Sequence, residues 1–232
     1  MHKIDDNLRK VTARITQAAL SAHRDPRSVR LIAVSKTQPA AALERAYHAG
    51  QRCFGENYVQ EALEKQRQLA HLHDIEWHFI GPIQSNKTRA IAENFAWVHS
   101  IDREKIARRL SEQRNPVLPA LQVCVQVNID DEASKAGVTL AQLPSLAKTV
   151  AELPGLQLRG LMTIPAPSAD PHQQAAIFAR LRDAITHLTA IGLPGLDTLS
   201  MGMSGDLEAA IASGATLVRV GTDIFGARSY SD

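Results

Sequence analysis

The sequence predicts a single (β/α)₈ barrel of the α/β class with one extra helix at its N-terminus, and three observations lead there. Short apolar runs alternate with helix-period stretches from residue 31 onward, which is the pattern of a parallel sheet. There are eight such runs. The chain has 232 residues, of which 44% are hydrophobic, close to the length of one barrel and enough for one large core. An open doubly wound sheet can be written with the same alternation, but eight repeats in this length favour closure. No linker or charge run divides the chain, so residues 1–232 are expected to form one domain.

The leading helix is read over residues 4–20, where Ile4, Leu8, Val11, Ile15, Ala18 and Ala19 recur at helical spacing. The strands follow at 31–34, 52–55, 75–80, 96–101, 121–127, 156–162, 198–200 and 217–220. Helices are expected between them at 40–49, 59–69, 86–93, 103–113, 140–152, 171–191 and 206–213.

Composition narrows the functional classes. Lys and Arg number 26 against 24 Asp and Glu, and they are dispersed, so no footprint for nucleic acid is present. No run approaches the 18 to 20 or so apolar residues that span a bilayer, and the start Met-His-Lys-Ile-Asp-Asp lacks the apolar stretch of a signal peptide. A cytoplasmic protein without membrane contact is expected. Cys53 and Cys124 fit no metal or disulfide spacing and read as small buried residues in a reducing compartment. His71 and His73 have no third ligand in reach by sequence, and no metal site is expected.

Barrel active sites are built where strands end in their C-terminal direction, and polar residues gather there. Lys36 follows the first run, Glu56 and Asn57 the second, His99 and Ser100 end the fourth, and Asn128, Thr163 and Ser200 mark the next three. Strand alternation puts Ile32, Val34 and Lys36 on one face, opposite Ala33 and Ser35. A lysine pointing inward at the rim is partly desolvated, which favours the neutral amine that attacks an aldehyde. The alternative is a lysine that reaches solvent or pairs with Glu56.

Residues 200–205, Ser-Met-Gly-Met-Ser-Gly, come after the seventh run and before a helix, where this fold tends to hold phosphate. Gly221 and Thr222 after the eighth run add backbone and a hydroxyl, although a simple loop with a Ser204 helix cap reads equally from either segment alone. Asp206 in the first helical turn competes with an anion for the same dipole. Arg219 alternates with Leu217 and Gly221 toward the interior, where it meets either an inward carboxylate or a polar ligand.

Taken together, these elements resemble the barrel domain of alanine racemase. The whole chain is more closely similar to the pyridoxal phosphate homeostasis protein family, single barrels that bind pyridoxal 5′-phosphate (PLP). The matching segments are 33–37 (Ala-Val-Ser-Lys-Thr), 54–61 (Phe-Gly-Glu-Asn-Tyr-Val-Gln-Glu), 78–87 (His-Phe-Ile-Gly-Pro-Ile-Gln-Ser-Asn-Lys) and 98–102 (Val-His-Ser-Ile-Asp). They continue through 160–163, 199–204 and 219–222, in order along nearly the full chain.

The resemblance implies PLP held as a Schiff base on Lys36, with Ser204, Gly221, Thr222 and the neighbouring Met203 backbone around the phosphate. It implies Arg219 facing the pyridine nitrogen, with Asn57 and Ser200 as further contacts. An always-charged donor there disfavours a protonated ring nitrogen and weakens the ring as an electron sink. The family is tied to vitamin B6 homeostasis, so a monomeric carrier without turnover, handing PLP to PLP-accepting apoenzymes, is the expected role. The competing enzyme reading is a racemase or decarboxylase of the alanine racemase fold type. Such enzymes use a tyrosine from a second domain, and none of Tyr47, Tyr58 and Tyr230 sits clearly in that place. A Schiff-base aldolase on a sugar phosphate needs the same lysine but no pyridine partner, and an esterase fails because residues 202–206, Gly-Met-Ser-Gly-Asp, break G-x-S-x-G at the last position. Asn128, Lys135 and Lys87 carry no assigned role.

Overall fold

The computed structural model describes residues 3–132 and 135–226. Tyr230 lies outside the described residues. Eight parallel strands close into a barrel in sequence order: β1 (Arg30–Val34), β2 (Cys53–Glu56), β3 (Glu76–Phe79), β4 (Trp97–Ile101), β5 (Leu121–Gln126), β6 (Leu156–Met162), β7 (Thr198–Ser200) and β8 (Leu217–Val220). Closure is made by β8 against β1, with Arg30 opposite Leu217 and Ala33 opposite Val220.

Helix α1 (Lys3–Ser21) precedes the barrel. The strands are then followed in turn by α2 (Ala40–His48), α3 (Val59–Gln68), α4 (Thr88–Asn94), α5 (Glu104–Gln113), α6 (Leu143–Glu152), α7 (Pro171–Ala190), α8 (Leu207–Ala212) and α9 (Thr222–Phe225). The predicted alternation therefore holds through all eight units, and the extra helix is α1. Its stripe of Leu8, Val11, Ile15, Ala18 and Ala19 is buried, as the period requires.

Three departures have local causes. Helix α6 begins at Leu143 rather than residue 140, because Pro144 sits in its first turn and Thr139 and Gln142 exchange side-chain-to-backbone bonds in a turn ahead of it. The stretch at 85–87 is a 3₁₀ turn before α4, and Thr88 Oγ1 donates back to the Ser85 carbonyl at 3.0 Å. Helix α9 has four residues, too few to show a period in sequence.

The strands have an outer apolar layer under the helices and an inner one inside the barrel. Ile32, Cys53, Trp97, Cys124, Met162 and Leu217 form the inner cluster. Both cysteines are free and buried. A Cβ on Gly160 would lie 1.8 Å from the Thr198 carbonyl oxygen, so only glycine lets β6 approach β7 there. Among the described residues no helix is long and apolar enough to cross a membrane.

Candidate functional site

At the C-terminal mouth of the barrel lies a cavity of about 280 Å³, near the small end of ligand-site volumes. Val34 lines it from the end of β1 and Lys36 just after it, Asn57 after β2, Ile80 after β3 and Ile164 after β6. Met203, Ser204 and Gly205 enter from the β7 loop, and Arg219, Gly221 and Thr222 from β8. Sequence reasoning had picked out Lys36, Asn57, Met203, Ser204, Arg219, Gly221 and Thr222, and the fold gathers all of these around the one cavity. Ser200 is placed differently: it is fully buried, and its hydroxyl engages Arg219 and His99 inside the barrel.

Lys36 is half-buried at the rim. The chain turns away immediately after it, with Thr37 in the left-handed region at φ 64°. A β-branched residue there costs roughly 1–3 kcal/mol, and Glu61 supports the turn by accepting the Thr37 N–H at 2.6 Å. Glu56 faces outward, where its Oε1 accepts from Ser35 Oγ at 2.6 Å and from the buried Lys65 ammonium at 2.8 Å. Burial pushes the Glu56 carboxyl up, with Lys65 opposing. The carboxylate proposed as a structural partner for Lys36 is thus held by Lys65.

Arg219 is 4% exposed. It donates to Ser200 Oγ at 2.7 Å and to the Thr163 carbonyl at 2.8 Å. Among the described residues it forms no ion pair, and burial lowers its pKa to about 10. It remains a cation at neutral pH and lines the cavity, and among the described residues no carboxylate pairs with it. Asp206, the nearest acidic influence, is occupied in accepting the Met203 N–H at 2.6 Å.

Asn57 supplies a second unsatisfied group, because its Oδ1 is buried and accepts no hydrogen bond. Its backbone is clamped by Gly81, where a Cβ would fall 2.5 Å from the Asn57 carbonyl oxygen. The β7 loop turns through Gly202 at φ 97°, and a Cβ there would come within 2.6 Å of Ala210 Cβ on α8. That close approach seats residues 203–205 over the start of α8. Helix α1 fastens both loops: Arg14 donates to the Ser204 carbonyl at 3.1 Å, to Glu208 at 3.0 Å and to Asp223 at 2.7 Å. Ser204 and Thr222 hydroxyls have no protein partner among the described residues.

A lysine amine, an unpaired buried guanidinium, a spare amide oxygen and two available hydroxyls fit a ligand that carries an aldehyde, a ring acceptor, a hydroxyl and a phosphate. That is the chemistry of PLP. Tyr58 is 56% exposed and lines an adjoining cavity with Gln84 and Lys87, and the Tyr47 hydroxyl donates to Asp74. His71 pairs with Glu44 at 3.0 Å, Lys135 with Asp130 at 2.5 Å, and Asn128 Nδ2 with the Glu132 carbonyl at 2.7 Å.

Sequence reasoning marked His99 but missed its partner His78 in the interior below Arg219, where the two are fully buried and 2.9 Å apart. The alternation of Glu76 and His78 along β3 was the available signal. Cys53, Glu76 and His78 bring three metal-capable atoms within 4.8 Å of one another at the opposite mouth. The Arg30 guanidinium contacts Cys53 Sγ at 2.9 Å and Glu76 Oε1 at 2.5 Å, so a cation already holds that place.

This barrel and cavity define a protein of the fold type described as "Alanine racemase, N-terminal domain", whose family model matches residues 4–229. The pyridoxal phosphate homeostasis protein of Pseudomonas aeruginosa is 61% identical over 99% of this chain and 98% of its own length. That of Escherichia coli K12 is 53% identical over 100% and 99%. PipY of Synechococcus elongatus, solved with PLP bound, is 40% identical with a TM-score of 0.81, covering 96% of this chain and 100% of that one. The chain belongs to the pyridoxal phosphate homeostasis protein family. Alanine racemase from Corynebacterium glutamicum, at 19% identity and a TM-score of 0.69, shares the barrel fold over 62% of its length.

Proposed function

We propose that this protein binds PLP as a Schiff base on Lys36 and acts in intracellular vitamin B6 homeostasis as a carrier without catalytic turnover. The observation that carries the reading is Arg219: a buried cation with no carboxylate partner among the described residues, lining the cavity that also holds Lys36. When bound, PLP would supply an electrophilic aldehyde, and the Lys36 amine at the rim would be the group that meets it. Asn57 Oδ1 accepts a hydrogen bond from the ligand edge, and Ser204 and Thr222 donate hydroxyls to the phosphate. Met203 and Gly221 border it with backbone. Ser200 acts one layer below, holding Arg219.

Arg219 counts against a decarboxylase, because a fixed cation at the ring nitrogen opposes its protonation and weakens the ring as an electron sink; it is shared with the racemase resemblance and does not separate carrier from racemase. The adjacent Tyr58 is turned to the neighbouring cavity. Two free buried cysteines support a reducing, cytoplasmic setting. The open rim allows exchange with amines and hand-over to PLP-accepting apoenzymes.

The test is the absorption spectrum of the protein loaded with PLP beside a Lys36→Ala variant, followed by borohydride and mass analysis. A band near about 420 nm, lost in the variant, with reduced PLP mapped to Lys36, is expected. A colourless protein that takes up no PLP overturns the reading. Turnover of an amino acid at roughly 1–10³ s⁻¹ would overturn the carrier role alone.

A further inference from the structure

Below the cavity a string of hydrogen bonds runs through the barrel to its opposite mouth. Arg219 Nη1 donates to Ser200 Oγ, which lies 2.7 Å from His99 Nδ1. His99 Nε2 lies 2.9 Å from His78 Nδ1, and His78 Nε2 lies 2.8 Å from Glu76 Oε1. Arg30 Nη2 closes the far end on Glu76 Oε1 at 2.5 Å. Ser200, His99 and His78 are fully buried, whereas Glu76 and Arg30 open β3 and β1 with side chains 33% and 45% exposed.

Counting hydrogens gives the string one direction. A guanidinium only donates and an ionised carboxylate only accepts. Between them, a serine hydroxyl and two neutral imidazoles each have one hydrogen to give. Four links from Arg219 to Glu76 therefore use four hydrogens in one order: Ser200 O–H to His99 Nδ1, His99 Nε2–H to His78 Nδ1, and His78 Nε2–H to Glu76. In the reverse order, Ser200 would accept twice with its own hydrogen orphaned, and a bare His78 nitrogen would face the carboxylate. Burial keeps both imidazoles neutral, the Glu76 contact opposing this at His78. The other groups against the string are Cys53, which Arg30 also contacts, and Trp97, stacked on the His78 ring at 5.5 Å and 13°.

We propose that Glu76 is a positioning residue for the cofactor cavity at the other end of the barrel. It sets the tautomers of His78 and His99, and so gives the Ser200 hydrogen its acceptor at His99 Nδ1, which fixes the orientation of the hydroxyl that holds Arg219. Only the last step, the effect on PLP, rests on the function proposed above.

Histidine ring ¹⁵N spectra of the labelled chain without PLP test the string directly. Both buried histidines are expected as Nε2–H tautomers, assigned against single-histidine variants. Glu76→Met removes the obligatory acceptor and leaves Arg30 as a donor toward His78, so both should convert to Nδ1–H. Glu76→Asp keeps the acceptor and should keep Nε2–H. With PLP loaded, Glu76→Met should release it about five- to tenfold faster, the effect of a Ser200 hydrogen left without an acceptor beside Arg219, and Glu76→Asp should match wild type. A wild-type His99 found as Nδ1–H overturns the proposal, and that measurement needs no variant to fold. So does a Glu76→Met protein that loses thermal stability while His99 keeps its tautomer, the result of a purely local Glu76–Arg30 pair. A chain that takes up no PLP refutes the function proposed above, and the tautomers still decide the string.

Discussion

Acidification from pH 7 to pH 5 is expected to weaken the fold through His99 by an amount that the structure allows to be worked out. His99 is fully buried, and burial holds its pKa well below 6.5, with the neighbouring His78 and Arg219 acting in the same direction. The unfolded chain takes up a proton as pH falls through about 6.5, while the folded barrel keeps His99 neutral. The stabilisation is therefore fully present above that pH and lost as pH drops. A group neutral in the folded state throughout this range contributes a loss of about 1.9 kcal/mol.

His78, lowered by the same burial against the pull of Glu76, adds in the same sense. The assay is urea unfolding at pH 7, 6 and 5 for wild type and His99→Gln, compared as a difference so that other titrating groups cancel. The variant should be less stable at pH 7 by about 1–3 kcal/mol, from its unmatched hydrogen-bond partners, and the gap should narrow by about 2 kcal/mol at pH 5. A gap constant with pH would refute the claim that His99 is kept neutral in the folded barrel.

Two further expectations concern the buried ion pair and the phosphate end of the cavity. Lys65→Met leaves Glu56 buried without its ammonium partner and should cost about 3–5 kcal/mol at pH 7; because burial already raises the Glu56 pKa, the deficit should shrink in acid. The double variant Lys65→Met, Glu56→Gln should recover most of the loss in urea unfolding, and a double variant as unstable as the single one would contradict the pairing. Ser204→Ala should lower PLP affinity by about 10- to 150-fold, one charge-assisted hydrogen bond, while affinity for pyridoxal, which has no phosphate, stays unchanged. Equal losses for both ligands would place Ser204 away from the phosphate.

The parts of the site legible in sequence are those that depend on one strand at a time. Period-two alternation puts Lys36 and Arg219 inward, and the barrel rule assigns the β7 and β8 loops to an anion, so no knowledge of the partner strands is needed. What depends on contacts between separate strands was not legible. His78 and His99 meet only because β3 and β4 pair, with His78 opposite Trp97, and Ser200 reaches His99 across the barrel from β7. Seen from sequence, Ser200 is one more hydroxyl after a strand; its two partners 19 and 101 residues away give it a different task. Lys65 is similar, since a lysine on α3 reads as solvated until Ser35 and Glu56 are brought beneath it.

The way α1 fastens the β7 and β8 loops has a consequence for the order of events at the ribosome. Lys36 is made early, but the loops around its cavity are held by Arg14 reaching residues 204, 208 and 223, and by Asn7 Nδ2 donating to the Ile224 carbonyl at 2.9 Å. These contacts join positions 190 to 217 residues apart, and β1 itself pairs with β8. At synthesis rates of about 5–20 residues per second, a nascent chain carries Lys36 for roughly ten seconds or more before the residues that surround it exist. Vitamin loading must therefore follow translation rather than accompany it, and a truncated chain would present the amine without the pocket.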